Sequence, residues 1–431
     1  MRTITYWLSL LFIFMLPWEN ILMVDGGETI SKFLGIGIAG VWLFTVVATN
    51  KMRIPLPFHL TVVLFVLWNS ASVFWSVDPA RSYDRTETYA QMAVLSFVLW
   101  DIYTERWMVT PAMQLYVLGA FITAGSTFNN YLNGIEFYYN RYAATGFNPN
   151  DASLIMALGM PLAWHLALTI PPGRVGTWLK VINFAYLPAA LYAILLTGSR
   201  GSLAAAAMTI FFIGSSVLQF RPSVRLAAIV AIVIALFSAA TFAPQTSFDR
   251  IEARGVELNG RDDVWKQTLE VVAEHPLFGI GSAAIKEVID RQQAAHNFVL
   301  SVTSELGLIG LSFFAIILLL VFYHGWRQDR QFRYLWLTVL LVWLVGASVH
   351  NFEHRKQTWV FFSLVVISST FSAAYAALGA RDTQLHPTSL TGMEILFNGP
   401  DETTRVDQPE LALAHHTYYR DDKLSVTGSA S

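Results

Sequence analysis

The chain has 431 residues, of which 54% are hydrophobic and only 13% are charged, and its formal net charge at pH 7 is −2. The charged share is about half that of an ordinary soluble protein, and a soluble core could not bury so much apolar surface. The chain contains no cysteine, which excludes disulfides, thiolate metal sites and a cysteine nucleophile. The composition therefore indicates one membrane domain instead of several soluble domains.

Apolar runs long enough to cross a bilayer recur along most of the chain. A helix needs roughly 20 residues to cross about 30 Å of hydrocarbon, and about twelve runs meet that requirement. We therefore expect an all-α polytopic membrane protein of about twelve transmembrane helices, with a membrane domain over residues 1–379. The predicted spans are residues 5–23, 31–49, 57–75, 89–104, 110–127, 150–170, 178–196, 201–219, 223–243, 299–323, 332–350 and 358–378.

The charges of the connecting loops predict the orientation of these helices. Arginine and lysine are more frequent in the short loops on the side where both termini lie than in the short loops opposite. Positively charged short loops stay in the cytoplasm. We therefore expect both termini in the cytoplasm.

Two longer segments lie outside the predicted helices. Residues 244–298, between the ninth and tenth helices, contain two short amphipathic stretches separated by the sequence HPLFGIG, whose proline and glycines interrupt helical periodicity. We expect a folded extracytoplasmic loop on the membrane surface. Residues 380–431 are polar and lack periodicity, which is typical of a largely disordered cytoplasmic tail.

Arg200 lies in the sequence TGSRG, a connection between two predicted helices so short that its guanidinium must lie at the outer membrane boundary. Gly198 and Gly201 leave the backbone open on either side, which permits close approach of a ligand. A diphosphate lipid headgroup would lie at this depth, and the planar guanidinium suits phosphate oxygens because it donates two parallel hydrogen bonds. The alternative is an arginine that anchors the two helices at the membrane surface.

Two further candidates lie in the outer loop. Arg261 opens the first amphipathic stretch, and the two aspartates that follow it complement a helix N-terminus, so helix capping is the alternative to ligand binding. His296 lies where the loop re-enters the membrane, and histidine is the side chain best suited to accept a proton near neutral pH. A purely structural histidine is the alternative here.

Other polar residues belong to the same outer face, and Asp78, Arg81 and Arg141 among them are candidates for binding substrate. His350 and His354 are spaced as helical zinc ligands are, but the order of residues differs from HExxH, and loop charge explains the pattern as well. We expect no metal site. The sequence contains no nucleotide-phosphate loop, no dinucleotide fingerprint and no nucleophile elbow. No cofactor and no ATP-driven step is therefore expected.

These motifs fall in an order that resembles the O-antigen ligase and Wzy-type polysaccharide polymerase family. They are TGSRG, a long outer loop with GRDDVW, then HPLFGIG, and then AHNFVLSVTSELGLIG. About twelve helices with the large loop between the ninth and tenth also match the layout of that family. The resemblance covers most of residues 70–350 and is strongest over residues 195–310.

The resemblance implies a metal-independent glycosyltransferase of the bacterial inner membrane. Such enzymes transfer a glycan, with inversion, from an undecaprenyl diphosphate carrier to an acceptor hydroxyl at the outer face. By resemblance, Arg200 and Arg261 bind the carrier diphosphate, His296 activates the acceptor, and the three other polar candidates line the acceptor path. Expected partners are the undecaprenyl diphosphate-linked glycan, a glycan or lipid A core acceptor, membrane lipids and polysaccharide export machinery, with no nucleic acid.

The acceptor and two other classes of protein remain open. The outer loop of about 55 residues is short for a lipopolysaccharide ligase, which favours an O-antigen or exopolysaccharide polymerase without excluding the ligase. A flippase or transporter of lipid-linked oligosaccharides would also need about twelve helices and an arginine-lined cavity. Against it stand the absence of an internal repeat and the position of the distinctive residues at one face. A non-catalytic scaffold for export would tolerate the loss of His296.

Overall fold

The computed structural model describes residues 1–24, 28–138, 140–217, 222, 225–226, 261–290 and 292–385, the stretch 372–385 by its backbone alone. We number the described helices in chain order. They are α1 (Arg2–Met15), α2 (Ile30–Thr49), α3 (Pro57–Ala71), α4 (Pro79–Ile102), α5 (Val109–Leu132), α6 (Pro149–Thr169), α7 (Arg174–Thr197), α8 (Arg200–Val217), α9 (Arg261–Glu274), α10 (Ile285–Val288), α11 (Phe298–Trp326), α12 (Arg330–Ala347) and α13 (Lys356–Leu385). Short 3₁₀ turns at Leu16–Ile21, Ser72–Trp75 and Arg106–Met108 extend α1, α3 and α5. Strands β1 (Met23–Val24) and β2 (Glu28–Thr29) pair antiparallel, with Met23 opposite Thr29.

Eight of these helices are long and apolar enough to cross a membrane, namely α1, α2, α3, α5, α6, α7, α8 and α11, three of them with their 3₁₀ extensions. The prediction of an all-α polytopic membrane protein is confirmed at this level. Helices α4, α12 and α13 occupy three more of the predicted spans, although they do not meet the same criterion. The predicted span 223–243 lies almost entirely outside the described residues, so the count of twelve stays a prediction.

The burial of side chains also fits a bilayer environment. Val47 on α2, Phe211 on α8 and Leu319 on α11 are 73%, 74% and 69% exposed, which would be costly in water over so large an area and is expected in hydrocarbon. Helix α6 is the opposite case, because 89% of its apolar window is buried against α5, α7, α8 and α12. The protein core therefore surrounds α6.

Helix α4 is longer than predicted. A span was predicted over residues 89–104, but the helix begins at Pro79, and Asp78 caps it by accepting a hydrogen bond from the backbone N–H of Arg81 (3.2 Å). The first turns of α4 carry charged side chains, Arg85 among them, which remove the apolar signal that predicts a helix. These charges therefore lie on a helix and not in a loop.

Helix α11 is interrupted at Gly307, whose φ of 68° and ψ of −174° are not helical. The HPLFGIG segment runs beside this interruption. Its Gly281 N–H donates to the Glu305 carbonyl (2.9 Å), and the Leu308 N–H donates back to the carbonyl of Pro276 (2.8 Å). Two irregular stretches of backbone thus satisfy each other, which is what irregular backbone near a membrane requires.

Side chains of α3 and α4 form hydrogen bonds to the interruption of α11 and to the segment that runs beside it. The indole of Trp68 donates to the Leu306 carbonyl (2.9 Å), Asn69 Nδ2 donates to Ser282 Oγ (2.7 Å), and Ser82 Oγ donates to the Ser282 carbonyl (2.7 Å). The loop after α9 and the first half of α11 are therefore held in a fixed position against the helices that precede them.

The boundaries of the membrane domain, the outer loop and the tail stay predictions. Contacts between Cα atoms divide the chain into Met1–Tyr375 and Ala376–Ser431, and α13 continues to Leu385, which is beyond the predicted start of the tail at residue 380. Residues 386–431 lie outside the described residues. Both the cytoplasmic tail and the loop boundaries at 244 and 298 stay predictions.

Candidate active site

Three connections meet at one end of the helices, which we call the loop face. They are residues 198–199 between α7 and α8, the described residues 275–290 and 292–297 between α9 and α11, and residues 348–355 between α12 and α13. Oγ of Ser202, at the start of α8, lies 3.3 Å from Nε2 of His350 at this end of the helices. The loop face brings together the three residues that the sequence predicts as catalytic.

Tight packing holds the turn before Arg200. Gly198 closes α7 with a left-handed φ of 60°, a conformation that glycine adopts without strain. The sequence suggested that Gly201 makes room for a ligand, but this was wrong. A Cβ atom at Gly201 would overlap the side chain of Val349. The glycine is needed because the α12–α13 connection packs directly on α8.

Arg141 supports the same turn. It is 5% exposed, and its Nε donates to the Thr197 carbonyl (2.6 Å), while its terminal nitrogens donate to Tyr138 Oη (3.2 Å) and Asn150 Oδ1 (2.6 Å). These contacts join the α5–α6 connection and the start of α6 to the end of α7. The geometry favours a role in positioning Arg200 over the predicted role in binding substrate.

Arg200 and Arg261 lie close enough to repel each other. Burial, and next the positive charge of Arg200, lower the pKa of the Arg261 guanidinium below its ordinary value. Both side chains are partly exposed. Two half-buried guanidinium groups that repel each other suit an anion with several oxygen acceptors, because such an anion would relieve their repulsion and accept their hydrogen bonds.

His296 lies next to this pair. Burial lowers the pKa of its imidazole to about 4, and the positive charges of Arg261 and Lys286 act in the same direction. The imidazole is therefore neutral at physiological pH and able to accept a proton. The backbone of His296 has a left-handed φ of 50°, a strained conformation for a residue other than glycine, and such strain clusters at functional sites.

Helix α9 fixes the backbone next to His296. The indole Nε1 of Trp265 donates to the carbonyl of Ala295 (2.7 Å). Trp265 follows Arg261 by one turn of α9, so both residues of the GRDDVW sequence face the same site. The role of this tryptophan was not predicted from the motif.

The α12–α13 connection contributes two buried titratable residues, His350 and Glu353, and the partly exposed His354. Burial lowers the pKa of His350 to about 3 and that of His354 well below its ordinary value, and burial raises the pKa of Glu353 to about 7. His350 faces Ser202, whereas His354 Nδ1 lies 3.3 Å from Glu353 Oε1. Among the described residues, no group of three or more histidine, aspartate or glutamate side chains is arranged to hold a metal ion.

A cavity of about 290 Å³ opens between the α9–α11 connection, the α12–α13 connection, α4, α11 and the start of α6. Its wall combines basic, acidic and amide side chains with His296 itself. The lining residues are Arg85, Asn148, Asn150, Asp151, Ala283, Ile285, Lys286, Ala294, His296, Glu305, His350, Asn351, His354 and Arg355.

Asp78 and Arg81 do not line this cavity. Arg81 forms ion pairs with Asp78 (3.2 Å) and with Glu287 on α10 (2.8 Å). These contacts join the start of α4 to the outer loop on the surface of the protein. The structure therefore brings Arg200, Arg261 and His296 together but leaves this predicted pair at the periphery.

Arg85 and Glu305 are among the charged residues of the cavity that were not predicted from the sequence. Arg85 lies on α4 within electrostatic reach of both Glu305 and Glu353. Glu305 is a carboxyl group within an otherwise apolar run and is 7% exposed. An isolated acid in such a run is a functional candidate by itself, so this signal was available in the sequence.

Fold and site together define a polytopic membrane protein with a cationic site beside a neutral histidine at one end of its helices. Residues 185–315 match the family model described as O-antigen ligase. The match includes Arg200, Arg261 and His296 and confirms the resemblance to the O-antigen ligase and Wzy-type family. It supports a glycan-transfer function in a membrane, with lipid-linked glycans as substrates. A search of curated proteins found no match.

Proposed function

We propose that the protein is an inverting glycosyltransferase that moves glycan units from an undecaprenyl diphosphate carrier to an acceptor hydroxyl at the outer face of the bacterial inner membrane. The observation that carries this proposal is the pair Arg200 and Arg261, half-buried and mutually repelling, next to the neutral imidazole of His296. The match to the O-antigen ligase family supports the same class of reaction. The proposed orientation places the loop face outside and both termini in the cytoplasm.

The reaction needs one base and one anion site. His296 accepts the proton of the acceptor hydroxyl as its oxygen attacks the anomeric carbon. The bond from that carbon to the diphosphate oxygen breaks on the opposite side, so the configuration inverts. Negative charge then collects on the departing diphosphate, where two guanidinium groups stabilise it, and such stabilisation usually contributes more to catalysis than any other single effect. A positioned base contributes a further factor of roughly 10² to 10⁴ in rate.

Donor binding also prepares the base. In the free protein the arginines disfavour a positive charge on His296, which keeps the imidazole neutral. The bound diphosphate offsets the charge of the arginines, so the imidazolium that forms during transfer is better tolerated. The buried carboxyl group of Glu353 is a second group that favours the protonated imidazole.

Both ligation to lipid A core and polymerisation of O-antigen or exopolysaccharide units fit this site, because donor and chemistry are the same. The test is transfer of glycan from purified undecaprenyl diphosphate donor in proteoliposomes, without added metal or ATP, with polymer units and lipid A core supplied as acceptors. We expect His296→Ala and Arg200→Ala to lower the rate at least 100-fold. His275→Ala and Arg174→Ala, which change exposed residues, are the matched controls and should retain the wild-type rate.

Three results would overturn parts of the proposal. Full activity of His296→Ala would exclude it as the base. Equal loss in the control variants would point to a folding effect. If the wild type transfers nothing to any acceptor but moves the donor across the bilayer, the protein is a flippase of lipid-linked oligosaccharides.

A further inference from the structure

Next to the arginine pair, the loop face contains a cavity to which the proposed transfer reaction assigns no ligand. It is the cavity of about 290 Å³ that His296 and Glu305 both line. Ligand pockets usually measure about 300 to 1,000 Å³, so this one suits a single small ring and not a long chain. Because His296 lines it, a group bound there can reach the proposed base.

Several buried polar atoms around the cavity have no hydrogen-bond partner among the described residues. They include His350 Nδ1 and Asn351 Oδ1, both on residues that line the cavity. His350 is 3% exposed. Buried polar atoms without a partner are rare and costly. A ligand with both donors and acceptors would satisfy them.

Glu305 is one of the two carboxyl groups that line this cavity. Its Oε2 accepts a hydrogen bond from the Ala283 N–H (2.8 Å), whereas Oε1 lies 3.5 Å from the Ser301 hydroxyl. One carboxyl oxygen is therefore firmly held, and the other has acceptor capacity to spare. A carboxyl group accepts hydrogen bonds from hydroxyls in a fixed orientation when the protein holds it in this way.

The backbone supports the same conclusion independently. Ala283, which orients Glu305, has a φ of 58°, and His296 has a φ of 50°. Both line the cavity. Left-handed conformations of residues other than glycine persist only where the surroundings impose them, and they cluster at ligand-binding and catalytic sites.

The wall of the cavity carries charges of both signs, unlike the arginine pair. Its basic side chains are Arg85, Lys286 and Arg355, and its acidic ones are Asp151 and Glu305. Arg355 contacts Asp151 directly. Arg85 lies within electrostatic reach of Glu305 and of the buried Glu353. A wall with both signs of charge favours an uncharged ligand rich in hydrogen-bonding groups, because a charged ligand of either sign would meet side chains of its own sign.

We propose that this cavity holds the uncharged sugar ring that carries the acceptor hydroxyl, and that Glu305 determines specificity by accepting hydrogen bonds from the ring's other hydroxyls. A ring that carries a carboxylate or a phosphate is rejected, because its charge would lie against Glu305. This inference rests on the proposed transferase function and names the substrate class of its acceptor side.

The first experiment measures sugar binding without catalysis. The purified full chain in lipid nanodiscs is applied to an array of neutral oligosaccharides and their uronic acid and phosphorylated counterparts. We expect the wild type to bind neutral members and Glu305→Gln to bind them at least tenfold more weakly. Glu305→Gln keeps an oxygen for the Ala283 N–H, so its thermal unfolding should match that of the wild type. Glu87→Gln, which changes an exposed carboxyl group on α4, is the matched control and should bind as the wild type does.

The second experiment measures transfer with the acceptor that binds. Glu305→Gln should raise the KM for the acceptor at least tenfold while leaving the KM for the undecaprenyl diphosphate donor unchanged. Binding of charged members alone, no binding of any neutral member, or an unchanged acceptor KM would each overturn the inference. Sugar binding that depends on Glu305 in a protein that transfers nothing would overturn the proposed transferase instead.

Discussion

The protonation state of one residue, His296, limits the chemistry that is possible at the loop face. Burial, Arg261 and Lys286 lower the pKa of its imidazole to about 4, so this residue is unprotonated at neutral pH. The low pKa makes the imidazole a weaker base, but protonation does not inactivate it under ordinary conditions. In the proposed reaction, the bound diphosphate raises the basicity of the imidazole again while the acceptor hydroxyl loses its proton.

This environment predicts an unusual pH dependence. kcat/KM for the donor reports the free enzyme and should stay constant from about pH 8 to about pH 5, because the imidazole is neutral above its pKa. kcat reports the complex, in which the bound diphosphate raises the pKa of His296, so its fall should begin at a higher pH. Lys286→Met removes a positive charge and should move both falls to higher pH.

The measurement is steady-state transfer between pH 4 and pH 8, with donor binding followed separately. A fall of kcat/KM near the ordinary histidine pKa of about 6.5 would show that the arginines and burial do not act on His296 as the structure indicates. An unchanged profile in Lys286→Met would exclude the electrostatic effect of that lysine.

At the level of residues, sequence and structure agree where a residue is marked by its motif. Arg200, Arg261 and His296 stand in TGSRG, GRDDVW and AHNF, and the structure brings them together. Glu305 was missed although an acid within an apolar run is a visible signal, whereas the contacts that Arg141 makes across the fold leave no local pattern. The four-residue spacing of His350 and His354 was uninformative, since their rings face different partners.

At the level of elements, the interruption of α11 explains the glycines of two motifs. Gly279 and Gly307 both have a φ of 68°, and a Cβ atom at either would overlap the backbone of the opposite segment. The HPLFGIG and SELGLIG segments therefore cross each other in close backbone contact. This crossing fixes the position of Glu305 at the cavity.

We expect Gly307→Ala to destabilise the protein by about 1 to 3 kcal/mol, because it adds a strained φ and a backbone overlap. The thermal unfolding midpoint in detergent measures this effect. Gly40→Ala in α2 is the control, since a Cβ atom there meets no other atom within 4 Å and alanine favours a helix over glycine. Equal midpoints for Gly307→Ala and the wild type would contradict the crossing.

The helices were predictable because apolar length is a strong signal in a membrane protein. Helix α6, predicted over residues 150–170, runs from Pro149 to Thr169. The start of α4 was missed because its charged first turns lie at the loop face and carry no apolar pattern. The interruption in α11 was also missed, since tertiary hydrogen bonds from a distant segment stabilise it.

At the level of the whole molecule, the eight apolar helices make a membrane protein, and the loop charges predict its orientation. The absence of cysteine allows this orientation to be tested with single introduced thiols. Lys266→Cys on α9 and Arg174→Cys at the other end of α7 both change exposed residues. We expect a membrane-impermeant maleimide to label the first in intact spheroplasts and the second only after permeabilisation. The reverse pattern would place the loop face in the cytoplasm.

We expect the arginine pair to bind the donor and the histidine to take part in the chemical step. One comparison of variants measures both roles. Wild type, Arg261→Ala and His296→Ala are reconstituted, and each is assayed for the Kd of the undecaprenyl diphosphate donor and for single-turnover transfer at saturating donor. We expect Arg261→Ala to bind the donor at least tenfold more weakly. We expect His296→Ala to bind it normally and to transfer roughly 10² to 10⁴ times more slowly. Normal single-turnover transfer by His296→Ala, or normal donor binding and transfer by Arg261→Ala, would contradict the assignment of this site.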